Sequence, residues 1–111
     1  MAYSIDNSTQ DISLVRGDYF PCHINMTKDG EAFRPTLGSL CFAVKRRYTD
    51  PDDKVLIVKN IPLDTLLLEL ESADTKELRF GTYVYDIEYT DQNGRPDTFI
   101  RAKFRLLEEV Y

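Results

Sequence analysis

Five short clusters of chemically capable side chains stand out in this sequence, and each points to a different chemistry. Cys22-His23 sets a thiol beside an imidazole, the parts of an activated nucleophile. Neighbouring residues on a strand point to opposite faces, however, so these two do not meet as a dyad. A catalytic pair built on His23, the single histidine, would need Cys41 or a distant carboxylate. Asp50-Pro51-Asp52-Asp53 and Asp91-Gln92-Asn93-Gly94 are oxygen-rich loops of the kind that hold calcium. The second lacks the later bidentate glutamate, and both read as solvated turns. Arg16-Gly17-Asp18 is an integrin-type tripeptide if it lies on a mobile extracellular loop, and a tight strand-to-strand turn otherwise. Lys45-Arg46-Arg47 is the one basic run, and Asp50, Asp52 and Asp53 follow it at once. It reads as the solvated end of a strand.

None of these clusters assembles a reaction centre. Twelve aspartates and seven glutamates offer many carboxylate pairs for glycoside hydrolysis, and nothing singles one out. The phosphate-cradling glycine loop, the G-x-S-x-G elbow and the H-E-x-x-H helix are all missing from the sequence. Cys22 and Cys41 form no C-x-x-C pair and lack the nitrogen ligands of a zinc site, so both are expected as free, reduced thiols. The sequence therefore assigns no catalytic, cofactor or metal residue.

Composition narrows the partners. The 111 residues are 42% hydrophobic and 30% charged, which suits one ordinary core and a single domain over residues 1–111. A formal net charge of −5 opposes the phosphate backbone, so nucleic acid is not an expected partner. The apolar stretch around Leu66–Leu68 is far too short to span a bilayer, so no membrane contact is expected either. The opening MAYSIDNSTQ has neither a basic start nor an apolar block, and no signal peptide is visible.

The elements that must position these residues are strands. Phe20, Cys22, Ile24 and Met26 alternate with Tyr19, Pro21, His23 and Asn25. The same period appears over Leu40–Lys45, Tyr83–Thr90 and Phe99–Leu106. Ile12–Val15 and Val55–Val58 are shorter runs. Leu63–Leu78 fits either period; a strand over Leu66–Glu71 is favoured, followed by a helical turn at Ala73–Leu78 starting at Asp74. Seven strands separated by turns read as an antiparallel two-layer sandwich. Asn93-Gly94 predicts a type I′ hairpin that pairs Tyr83 with Phe104, Ile87 with Ile100 and Asp86 with Arg101. In Ig-like sandwiches a tyrosine near the start of the sixth strand braces a corner, and Tyr83 has that position.

Several segments in order then carry a family likeness: Arg16-Gly17-Asp18, Asp29-Gly30, Leu37-Gly38, Asp74-Thr75-Lys76-Glu77-Leu78, Gly81-Thr82-Tyr83-Val84-Tyr85-Asp86 and Asn93-Gly94. Together they resemble small Ig-like β-sandwich virion proteins of phages and prophages, and more loosely the N-terminal domain of phage baseplate upper proteins. Where that family has Asp-Leu-Thr-Gly, this chain has Pro35-Thr36-Leu37-Gly38. The resemblance implies an all-β, Ig-like antiparallel sandwich of about seven strands, with a non-enzymatic structural or assembly role in a tail, baseplate or neck region. The implied partners are other virion or prophage-encoded proteins, with self-association also expected. The implied location is the virion, after synthesis in the bacterial cytoplasm. Pro21 and Pro35 are expected to guard strand edges, and Leu67 with Tyr3, Tyr19, Tyr48 and Tyr111 to supply a contact patch. The alternative class is a carbohydrate- or surface-binding module, which a concave aromatic groove would favour.

Overall fold

A computed structural model describes residues 10–108 in full and residues 3–5 as backbone. The strands are β1 (Tyr3–Ile5), β2 (Ile12–Val15), β3 (Phe20–His23), β4 (Thr27–Lys28), β5 (Glu31–Ala32), β6 (Ser39–Lys45), β7 (Ile57–Ile61), β8 (Leu67–Leu70), β9 (Gly81–Thr90) and β10 (Pro96–Leu107). A 3-10 turn spans Asp52–Lys54, and the one-turn helix α1 spans Ser72–Thr75. The fold is an all-β sandwich. One layer is a six-stranded sheet in the order β1-β2-β10-β9-β6-β7, and the other is the pair β3-β8.

The seven expected strands all form, with the run read as Val55–Val58 displaced to Ile57–Ile61 and the one read through Met26 ending at His23. Beyond them lie β1 and the small β4–β5 hairpin, whose Asp29-Gly30 corner has positive φ at both residues as a type I′ turn requires. The sheet is not wholly antiparallel, because β2 runs parallel to β10. These two strands come from opposite ends of the chain, so no hairpin dictates their relative direction.

Alternation becomes a core because each strand turns every second residue inward. Leu40, Phe42 and Val44 from β6, Tyr83, Tyr85 and Ile87 from β9, and Phe104 and Leu106 from β10 are all buried. They meet Phe20, Leu68 and Leu70 from the other layer. The Phe42 ring sits 5.4 Å from Tyr85 and 6.2 Å from Phe104.

The ambiguous leucine-rich stretch is a strand. Leu66 takes φ 52 at the end of a turn closed by its N–H to Pro62 O at 2.8 Å. Its carbonyl then accepts from Ile24 N at 2.8 Å, which feeds Leu67–Leu70 into pairing with β3. The helix starts earlier than expected, at Ser72 with Glu71 as N-cap. Asp74 accepts from the Glu71 N–H at 2.7 Å and so closes the first turn from inside.

The last hairpin keeps its predicted pairs by a different route. Tyr83↔Phe104, Ile87↔Ile100 and Asp86↔Arg101 are the observed partners. The tip is not type I′, since only Gly94 takes positive φ there. Gly94 N donates to Asp91 O at 3.0 Å and Asp91 N to Arg95 O at 3.0 Å, which makes a three-residue loop. Asp91 Oδ1 prefers this shape, accepting from Asn93 N at 2.8 Å and Arg95 N at 3.0 Å. The longer loop moves the tip register by one, and a bulge at Phe99 moves it back. Tyr83 braces its corner as expected, its hydroxyl donating to Arg79 O.

Candidate functional site

The outward residues of β6, β7 and β9 form a shallow concave face. Cross-strand register lines up Val58, Ala43, Asp86 and Arg101 in one row, and Asn60, Cys41 and Glu88 in the next. Small side chains at the centre of these rows leave a floor lower than its walls. A hollow of about 250 Å³ lies over Cys41, Ala43, Val55 and Val58, with Asp86 and Glu88 on its wall. Val58 is 57% exposed and Leu56, two residues earlier, 38% exposed. An apolar centre inside a polar rim is the anatomy of a protein contact surface.

The charges around this hollow are unevenly spent. Lys45 Nζ donates to Asp52 Oδ1 at 2.8 Å and to Asp50 O at 3.1 Å, and that bond holds the Asp52 carboxyl below its ordinary range. Arg101 lies 3.9 Å over the Tyr48 ring, while the Tyr48 hydroxyl donates to Ala102 O at 2.9 Å. Asp86 and Glu88 enter no ion pair among the described residues. Burial pushes the Asp86 carboxyl above its usual range, more strongly than Lys45 and Arg101 pull it down. The Cys41 thiol is also pushed up, by burial first and then by the negative charge of Asp86 and Glu88.

A raised folded-state acid binds its proton more tightly than the unfolded chain does, so its ionisation costs stability as pH rises. Asp86→Asn is therefore expected to be more stable than the parent chain at pH 7. The gain should disappear below the ordinary carboxylate range, where both states are protonated. Urea denaturation at pH 7 and pH 3 checks this, and an unchanged or lowered stability at pH 7 contradicts it.

The motifs that stood out in the sequence disperse. Arg16 and Gly17 are docked on α1 and the chain after it: Gly17 N donates to Thr75 Oγ1 at 2.8 Å, and Arg16 Nη1 to Leu78 O at 3.0 Å. That tripeptide is a packed turn. The Cys22 thiol, raised by burial, points to the His23 carbonyl at 3.6 Å instead of its ring, and both cysteines are free. Asp50–Asp53 and Asp91 sit in separate turns, and no metal-holding group of His, Cys, Asp or Glu occurs among the described residues. Among the described residues no helix is long and apolar enough to cross a membrane.

Of the expected tyrosine patch, the two described members, Tyr19 and Tyr48, do not come together. Tyr19 donates to Glu69 on the two-stranded layer, whereas Tyr48 lies on the outer face of the large sheet. Leu67 is half-buried in β8, while the side chain of Tyr3 and all of Tyr111 lie outside the described residues. Pro21 does guard an edge. Ile24 N reaches Leu66 O, so the even-numbered residues of β3 face β8 and Pro21 turns its missing donor to the open side. Pro35 is instead buried in the loop between β5 and β6.

Sequence reasoning missed a second feature. At the end of the sandwich where the β9–β10 tip and the β4–β5 hairpin meet, Phe33, Tyr89 and Phe99 form an aromatic cluster beside a hollow of about 350 Å³. Phe33 stacks on Phe99 at 6.1 Å and meets Tyr89 edge-on at 5.6 Å. Phe99 reaches the cluster because the bulge turns it to the same side as Ile100. Phe33 in a loop carried no periodic signal. Neither a family model nor a curated protein matches this chain.

Proposed function

We propose that this chain is a non-enzymatic structural component of a phage or prophage particle, acting through protein–protein contacts in a tail, baseplate or neck region. The observation that carries the reading is the apolar hollow on the outer sheet face, where Val58 is 57% exposed inside a rim of charged side chains. An isolated sandwich gains nothing from leaving that surface bare. The likeness of the Gly81–Asp86 and Asp74–Leu78 segments to virion proteins supplies the context. On this reading the protein is made in the bacterial cytoplasm and resides in the particle. Co-expression with the products of adjacent genes is expected to yield a stable complex, and Val58→Asp to weaken it at least about tenfold.

A second reading is favoured by the Phe33–Tyr89–Phe99 cluster, whose hollow has Lys28, Arg95 and Asp97 on its rim, as a carbohydrate-binding site would. Lys28 lies 5.6 Å over one side of the Phe33 ring and Phe99 stacks on that ring too, which leaves it little open face for a sugar. If adjacent-gene products fail to bind while the purified chain holds a glycan tightly, this second reading replaces the first.

A further inference from the structure

The outer-face hollow has a counterpart on the same molecule. Phe80 stands just before β9 and is 52% exposed, and Leu107 at the end of β10 is 45% exposed. Gly81 and Leu106 are the last pair of the β9–β10 ladder, and Phe80 and Leu107 are the residues just beyond it on either side. Two arginines flank them: the Arg16 guanidinium lies 5.6 Å over the Phe80 ring, and Arg79 is exposed beside it in the chain. This is an apolar knob with arginines on its Phe80 side, while Glu108 follows Leu107 in the chain. The hollow is an apolar socket whose wall carries Asp86 and Glu88; of the cations beside it, Lys45 is bonded to Asp52 and Arg101 lies over the Tyr48 ring.

Resting on the assembly reading above, we propose that the occupant of the hollow is the Phe80–Leu107 knob of a second copy of this chain. Charge complementarity picks this occupant, since Arg79 of one copy would meet Asp86 and Glu88 of the next. The knob lies at the start of β9 and the socket halfway along it, and the proposal takes the contact as head-to-tail, with each copy giving its knob to one neighbour and its socket to another; a parent chain that stops at a dimer overturns this arrangement. Each copy keeps a free knob and a free socket after joining. Repetition then yields rings or filaments, the symmetry that a particle built from many copies requires. Edge-to-edge pairing is a poorer route, because Pro21 blocks the β3 edge and the five-residue β7 is followed at once by Pro62.

The test uses two variants that each destroy one half of the contact. Phe80→Asp loses the knob and keeps the socket, while Val58→Asp loses the socket and keeps the knob. Both sites are exposed, and circular dichroism is used to check that each variant folds. Sedimentation of the parent chain up to about 1 mM is expected to show concentration-dependent species larger than a dimer. Each variant alone should stay monomeric, and their equimolar mixture should form a dimer that grows no further. A parent chain that stays monomeric at that concentration overturns the proposal, as does a mixture that stays monomeric while the parent assembles. If self-assembly fails in this way while adjacent-gene products still bind the parent chain, the knob and socket are wrong and the virion role stands. If the mixture dimerises but no adjacent-gene product binds, self-assembly holds and the virion role falls.

Discussion

Phe42→Ala is expected to cost about 3–5 kcal/mol of folding stability, a loss comparable with the whole stability of many small domains. Phe42 has no exposed surface and lies where three elements meet. It faces Ile87 across the β6–β9 ladder, and its ring contacts Tyr85 and Phe104. Removing the ring loses its burial and leaves a cavity between two β-layers whose backbones are held by ladder hydrogen bonds, so relaxation is limited. At a domain of this size each kcal/mol moves the midpoint by roughly 4 °C, so melting should fall by roughly 12–20 °C. Phe42→Leu should keep most of the loss from appearing, because it refills the space. Val58→Ala, on the outer face, should stay within about 0.5 kcal/mol of the parent chain. A Phe42→Ala chain that melts within a few degrees of the parent would mean that the core is not centred on β6 and β9.

That centre was readable from the sequence because period-2 alternation and burial are the same physical fact seen twice. Leu40, Phe42 and Val44 are buried for the reason that they alternate with Cys41, Ala43 and Lys45, which lie on the outer face. The pairing of Asp86 with Arg101 was readable too, since acid met base in the same register that joined Tyr83 to Phe104. The tip of that hairpin was not. Asn93-Gly94 favours type I′ by residue type, but the Asp91 carboxylate competes for the Asn93 and Arg95 amides, and two charge-assisted bonds outweigh a local preference. The displaced register then needed the Phe99 bulge to recover. No rule about dipeptides reports where a bulge falls, so the aromatic cluster that depends on it stayed hidden.

The candidate site was less legible than the fold, and for a different reason. A catalytic motif announces itself through unusual residue types, whereas a contact face is made of ordinary ones. Val58, Ala43 and Cys41 become a hollow only because two strands, β6 and β7, bring small side chains together across the sheet. The residues that looked eloquent in the sequence turned out to be occupied. Gly17 holds α1, Arg16 holds the Leu78 carbonyl that follows it, and Lys45 holds the Asp50–Asp52 turn. Phe80 and Leu107 sat outside every alternating run, one before a strand and one at the end of another, where an apolar residue gives no sign of whether it is covered.

Gly38→Ala is expected to be nearly as damaging as the loss of Phe42, at about 3 kcal/mol or more, although it adds a single carbon at an exposed position. Gly38 has φ 100, a conformation that an L side chain rarely adopts. A Cβ there would lie 2.3 Å from the backbone carbonyl oxygen of Thr90 and 3.1 Å from the Tyr89 hydroxyl. Thr90 is paired with Ser39 in the β6–β9 ladder, so its carbonyl cannot swing aside without opening the end of the sheet. Tyr89 is pinned as well, because its hydroxyl donates to Leu37 O. Gly30 is the control that separates backbone strain from collision. It has φ 82 with no atom within 4 Å of an added Cβ, so Gly30→Ala should cost only the strain, about 1–2 kcal/mol. The excess at Gly38 measures how tightly the loop is pressed onto β9. Near-ultraviolet circular dichroism should also change in Gly38→Ala, as Tyr89 and its partners Phe33 and Phe99 move, and stay unchanged in Gly30→Ala. If the two alanine variants lose equal stability, the loop is not pressed against Thr90, and the aromatic end of the sandwich is looser than its geometry says. If the excess appears, the same press that holds Tyr89 also closes the end of the β6–β9 pair, and the outer face keeps its floor of small side chains in register.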